Sequence, residues 1–232
     1  MNDLISYDQN FIKTLFENSP DKIINLSIPE NRKNKKVSSL ISLAEKYQIK
    51  VTINSTKKIS AVYKPSIAKD MNYLEKIIQQ KENPIILILD HVMDPQNVGS
   101  ILRTSLAASV DAVVVSKNRA CHLTETVRKV SKGASELIPF IIVNNIKNLT
   151  RQLQKIGLNV IGCDIGGGIN YYDFNFKKST AIIMGAEDKG IQFSLKKELD
   201  EIINIPMNNK IESLNVSNAC SVILFEMRKQ RS

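Results

Sequence analysis

Three stretches of the chain gather residues able to hold and orient a polar small molecule. The first, DHVMDPQNVGSILRTS (residues 90–105), places Asn97, Gly99 and Arg103 behind an Asp94-Pro95 pair. Aspartate followed by proline starts a helix: the carboxylate accepts from free backbone N–H groups and proline suits the first turn. Capping accounts for Asp94 and Pro95 but not for the three residues that follow. Glycine costs a helix about 1 kcal/mol relative to alanine, so close backbone contact is the expected compensation at Gly99. Asn97 and Arg103 lie less than two turns apart and share a side only loosely. Arg103 falls among Ile101, Leu102 and Leu106, where solvation alone explains it poorly; its planar fork of donors suits a phosphate.

The second stretch, MGAEDKGI (184–191), directly follows an apolar run, and its glycines Gly185 and Gly190 permit a tight path around Glu187. An ordinary acidic turn would look similar. The third, IPMNNKIESLNVSNACSV (205–222), begins like the end of a buried strand and finishes like the start of a buried helix. Between them stand Ser213, Asn215, Ser217 and Asn218. Capping explains one such residue; four imply a held ligand, with Ile205, Met207 and Leu214 enclosing its apolar parts.

Hydrolytic and metal chemistry find little here. The histidines are His91 and His122 and the cysteines are Cys121, Cys163 and Cys220, none at metal-ligand spacing. No carboxylate pair or Ser-His-Asp order is evident, and the Cys121-His122 neighbours read as chance adjacency. What remains favours a group transfer in which a reactive cofactor supplies the chemistry and the protein supplies position. The net charge of +9 and pI near 9.4 suit a polyanionic partner, although codon bias toward lysine and asparagine would give the same balance. The densest basic run, NRKNKK (31–36), reads as a solvated loop. No apolar stretch reaches bilayer length, the N-terminus lacks a signal-peptide pattern, and a reducing, cytoplasmic setting is expected.

Those three stretches need a frame. From Pro84 onward, apolar runs at 85–90, 112–115, 139–143, 160–164, 180–185 and 202–207 are separated mostly by amphipathic helical patterns. Strands without polar alternation, joined by helices, predict a parallel α/β sheet covered on both faces, with ligands beyond the carboxyl ends of its strands. The GGG at 166–168 has no phosphate-loop context and reads as a turn after a strand. Before Pro84, patterns at 11–18, 22–29, 37–49 and 50–54 predict a small α/β module over residues 1–70, and the polar segment 71–83 reads as a linker to a domain over 84–232.

DPQNVGSILRTS, IIMGAEDKGI and IPMNNKIESLNVSNA, in that order, resemble the three motifs of the SpoU (TrmH-type) RNA ribose 2′-O-methyltransferases of the knotted SPOUT superfamily, and VRKVSKGASELIPF between the first two is similar to the family as well. The chain departs from the family pattern at Asn209, where glycine is usual. The resemblance covers 84–232 closely and likens the N-terminal module to the family's L30e-like substrate-binding domain. It implies a C-terminal deep trefoil knot, a homodimer, and S-adenosylmethionine bound without metal. By motif position it places Gly185, Ile205, Met207, Ser213, Leu214 and Asn215 on the cofactor, and Asn97, Arg103, Glu187 and Asn215 at the reaction centre. The implied reaction is methyl transfer to a ribose 2′-hydroxyl. The two-domain layout is most similar to members acting on a guanosine of large-subunit (23S) ribosomal RNA, with transfer RNA as the alternative substrate. From another class, the alternative is a non-catalytic RNA-binding or ribosome-assembly factor on the same scaffold.

Overall fold

The structure is a computed structural model that describes residues 3–30, 35–55, 58–166, 168–186, 189–208 and 210–232. Two units divide the chain between Ser66 and Ile67.

The first unit runs β1 (Leu4–Ser6), α1 (Gln9–Asn18), β2 (Ile23–Pro29), α2 (Lys35–Lys46), β3 (Lys50–Asn54) and β4 (Ser60–Tyr63). Its sheet has the order β1-β4-β2-β3, antiparallel except for the β2/β3 pair. Asp8 caps α1 by accepting from the N–H groups of Asn10 and Phe11. The helix then buries Phe11, Ile12, Leu15 and Phe16 on one stripe, against Leu26 and Ile28 of β2 and Leu40 of α2. The short strands β1 and β4 carry too few residues for a readable period. Residues 31–34 of the basic run lie outside the described residues.

The second unit runs α3 (Met71–Gln80), β5 (Ile85–Leu89), α4 (Pro95–Ala107), β6 (Ala112–Ser116), α5 (Glu125–Val130), α6 (Ala134–Leu137), β7 (Phe140–Val143), α7 (Ile146–Lys155), β8 (Asn159–Cys163), β9 (Ile169–Asn170), β10 (Thr180–Met184), α8 (Phe193–Lys196), β11 (Glu201–Asn204) and α9 (Val216–Arg231). The segment expected as a linker belongs to this unit. Asp70 caps α3, and Leu74 is fully buried among the side chains of the sheet.

Seven strands pair in the order β7-β6-β5-β10-β8-β11-β9, all parallel. Because side chains alternate along a strand, the apolar runs divide into two cores. Leu87, Val113, Ile182 and Ile203 face α4, α5 and α9. Ile86, Val114, Ile141 and Ile183 face α3, α7 and α8. The chain lays β5, β6 and β7 outward in one direction, then places β10 between β5 and β8. The strand order therefore reverses beside β10, where open parallel sheets form ligand crevices.

Gly99 has a local reason. A Cβ there would lie 2.6 Å from Val130 Cβ and 3.0 Å from the Val127 carbonyl, so the glycine lets α4 approach α5 closely. The close contact expected from sequence is thus between helices. Arg128 of α5 donates to Glu136 of α6, and both are buried, which closes the α5–α6 turn behind α4.

Candidate functional site

The carboxyl ends of β8, β10 and β11 release the chain into three loops that wall one cleft of about 470 Å³. Gly185, Ile205, Met207, Ser213 and Leu214, drawn from two of the three stretches singled out in the sequence, all line it. Its floor is apolar, with Met184 and Val216 buried. Ile165 and Ile211 stand 63% and 62% exposed on its wall, poised to cover an occupant.

Gly185 holds its place by sterics. A Cβ would fall 2.1 Å from the Gly190 carbonyl carbon and 2.3 Å from the Ile191 nitrogen, both backbone. The loop folds back on itself at that point, with the Gly190 N–H donating to the Ala186 carbonyl (2.8 Å) and Gly190 at φ +60°. Two carboxylates fasten the far end of the loop. Asp164, just beyond β8, accepts from the Ile191 N–H (3.1 Å), from its neighbour Ile165 N–H (2.7 Å) and from Lys196 Nζ (2.7 Å). Asp90, buried at the end of β5, accepts from the Gln192 N–H (3.1 Å) and Gln192 Nε2 (3.3 Å), with His91 Nδ1 2.7 Å away.

The polar run of the third stretch now separates into roles. Asn215 caps α9: its Oδ1 accepts from the Ser217 N–H (2.9 Å) and Ser217 Oγ (2.6 Å). Its Nδ2 donates to Asn97 Oδ1 (3.0 Å), tying the first turn of α9 to the first turn of α4. Asn97 is 8% exposed and its N–H is capped by Asp94. Ser213 lines the cleft and Asn218 is exposed.

Arg103 corrects the expectation drawn from its apolar neighbours. Ile101 and Leu102 are fully buried, whereas Arg103 is exposed on the outer face of α4 and makes no hydrogen bond or ion pair among the described residues. Neighbours in sequence point to different sides of a helix, so the apolar run packs inward while the guanidinium meets solvent. It does not line the cleft. Glu187 lies outside the described residues, as does Asn209.

Sequence reasoning passed over Asp164 and Lys189, both on the cleft wall. The signal for Asp164 was its position at a strand end, VIGCD. The triple-glycine turn includes Gly167, which lies outside the described residues; Ile165 and Gly166 form a turn, and Gly166 (φ +67°) lines the cleft. The Cys163 thiol also faces it, but burial first and then the charge of Asp164 push its pKa up to about 12, so it stays protonated at neutral pH and is no nucleophile. Among the described residues no three His, Cys, Asp or Glu side chains converge as a metal site, and no helix is long and apolar enough to cross a membrane.

Comparison with known proteins bears on what such a cleft belongs to. The solved structure of the SpoU methyltransferase AviRb from Streptomyces viridochromogenes, in complex with AdoMet, matches 99% of this chain and 90% of its own at a TM-score of 0.78 and 20% identity. An AdoMet-bound rRNA methyltransferase from Sinorhizobium meliloti matches at a TM-score of 0.73 and 19% identity, over 98% and 87% of the two chains. Both likenesses show the fold. In sequence, the chain is 34% identical to the 23S rRNA (guanosine-2′-O-)-methyltransferase RlmB of Pseudomonas aeruginosa, over 97% of this chain and 96% of the relative. It is 41% identical to RlmB of Vibrio cholerae over 72% and 68%. A profile of the SpoU rRNA Methylase family spans residues 84–225, from the first residue before β5 into α9, and so takes in every strand and loop that builds the cleft. The chain belongs to the SpoU rRNA methylase family.

Proposed function

We propose that the protein transfers a methyl group from S-adenosylmethionine to the ribose 2′-hydroxyl of a guanosine in 23S ribosomal RNA. The observation that carries the reading is the single cleft that the two glycine- and amide-rich loops, 185–191 and 205–214, build at the carboxyl ends of β8, β10 and β11. The cleft fits this cofactor in size, within the usual range of roughly 300–1,000 Å³ for small-molecule sites. Its apolar floor suits a purine. Asp164, Glu212 and Lys189 on its lining give the mixed charge that a zwitterionic amino-acid end requires. The relatives that match over both units are 23S rRNA (guanosine-2′-O-)-methyltransferases, and their substrate is the one proposed.

The cofactor brings an electrophilic methyl group on a sulfonium sulfur. The protein's part is to position the hydroxyl in line and keep water away. Gly185, Ile205 and Leu214, joined by Met207 and Ser213, would hold the cofactor, and Asn215, which does not line the cleft, would set its edge by capping α9. By motif position, Asn97, steadied by Asn215, and Glu187 are assigned to the reacting end. Arg103 presents five N–H donors and no acceptor, which suits gripping an RNA phosphate and the developing alkoxide rather than acting as base. Because it lies off its own chain's cleft, it would do so at the cleft of the second copy in the proposed dimer.

The same reading gives the last third of the chain the deep trefoil knot of the SPOUT enzymes, supported by the insertion of β10 between β5 and β8. It gives the first unit an L30e-like role in docking RNA. It makes the protein a homodimer through the outer faces of α4 and α9. There Thr104 Oγ1 lies 3.3 Å from Ser221 Oγ, and Leu106 and Phe225 remain 38% and 50% exposed nearby. Free thiols at Cys121, Cys163 and Cys220 agree with a cytoplasmic setting.

Incubation with tritiated S-adenosylmethionine and, separately, unmodified 23S ribosomal RNA and bulk transfer RNA tests the proposal. Label on a guanosine ribose of 23S RNA is the expected result. Label only in transfer RNA would overturn the substrate, and cofactor binding without transfer to any RNA or ribosome precursor would overturn the enzyme.

A further inference from the structure

We infer that Phe193, with Lys197 over its ring, is a stacking platform for an unpaired nucleobase of the RNA substrate, displayed on backbone that a buried carboxylate clamps. The inference rests on the proposed RNA substrate and goes beyond it by naming a contact outside the cleft. Phe193 is 73% exposed, more than any other large apolar side chain among the described residues. An aromatic ring left this open in a loose loop would mean little. Here the backbone on both sides is fixed. Ile191 and Leu195 are 1% and 3% exposed in the core, and Gln192 is held by Asp90 through both its N–H and its side chain. Asp90 is itself 1% exposed, and its N–H donates to the Met184 carbonyl in the neighbouring strand (2.8 Å). The ring is therefore presented at a fixed place, which lowers the ordering cost of any contact it makes.

The surroundings select the ligand. Lys197 Nζ lies 4.5 Å from the ring centroid, and exposed Lys189 stands on the adjoining wall of the cleft. Two residues lie between Gly190, which lines the cleft, and Phe193, so the Phe193 Cα sits within about 11 Å of that wall along the chain. The loop after β5 reaches the same place, where His91 Nδ1 is 2.9 Å from Gln192 Nε2. One ring beside an ammonium group makes a small patch with positive charge. Protein partners need a larger contiguous apolar surface, whereas single-stranded nucleic acid uses this pairing: bases stack on aromatic faces and cations meet the phosphates.

The test compares full-length Phe193→Ala and Phe193→Trp with the wild-type chain. Anisotropy with a labelled single-stranded oligoadenylate reads stacking independently of methyl transfer, and methylation assays read the KM for unmodified 23S RNA. Phe193→Ala should raise both the oligoadenylate Kd and the RNA KM by roughly tenfold. Phe193→Trp should restore both, with the Kd for S-adenosylmethionine unchanged in either variant. Wild-type values in Phe193→Ala would overturn the platform, and so would a loss that tryptophan fails to restore. A change in mass by light scattering would assign the patch to a second copy of the chain instead. Failure of the wild-type chain to methylate any RNA would count against the proposed function alone, since oligoadenylate binding still decides the platform.

Discussion

A methyl group added at Gly185 would sit 2.1, 2.3 and 2.4 Å from the Gly190 carbon, the Ile191 nitrogen and the Gly190 oxygen, none of which can rotate away as a side-chain end would. Restoring ordinary contact at 3.4 Å requires the two arms of the loop to part by about 1.3 Å. That separation strains the Gly190-to-Ala186 and Ile191-to-Asp164 hydrogen bonds. Losing one costs about 1 kcal/mol net, and overpacking typically adds about 1–3 kcal/mol. Gly185→Ala should therefore destabilise the second unit by about 2–4 kcal/mol, lowering its Tm by roughly 5–12 °C. A displacement of about 1 Å in a positioning wall can cost on the order of a hundredfold, so the Kd for S-adenosylhomocysteine by calorimetry should rise by about that factor. Affinity within about threefold of wild type, with Tm unmoved, would refute the steric account of this loop and its place in the cofactor site.

Arg103→Ala removes an exposed side chain, so stability should stay within about 0.5 kcal/mol, while methyl transfer falls by at least about a hundredfold and cofactor affinity is kept. Collapse of cofactor binding would show the assigned role to be wrong. Asn215→Ala loses the α9 cap and the bond to Asn97, about 1 kcal/mol each in denaturant titrations. Asn215→Asp keeps the capping oxygen and should recover the first of these losses; equal damage in both variants would count against the two-part role. For Cys163 the folded pKa, about 12, lies above the thiol's ordinary 9.0. Folding thus favours the protonated thiol, a contribution complete below pH 9 and lost as pH climbs from 9 toward 12. Cys163→Ala should flatten that alkaline limb of Tm against pH, and an unchanged slope would refute the burial argument.

Much of the frame was legible locally. The run IILIL lies fully buried as β5 because five apolar residues without polar alternation need cover on both faces. The Asp94-Pro95 start of α4 could be read because capping involves only residues two or three apart. In unit 1, three-residue β1 and four-residue β4 escaped notice because so few residues carry no period. The candidate site was legible where its residues sit in the loops themselves: Gly185, Ile205, Met207, Ser213 and Leu214 share one cleft because each follows a strand that ends at the same edge of the sheet.

Sequence by itself thus determined the strands and most helices from Pro84 onward and the motifs that mark the family, since propensity, periodicity and capping act between near neighbours. Tertiary structure alone decided which distant groups meet. The Asn97–Asn215 bond spans 118 residues and the Asp90–Gln192 clamp spans 102. Both exist because β10 pairs with β5 on one side and β8 on the other, a strand order no local period records. The same packing turned Arg103 outward, because a helix shows its neighbour only one stripe and here that stripe was filled by Val98, Ile101, Leu102 and Ser105.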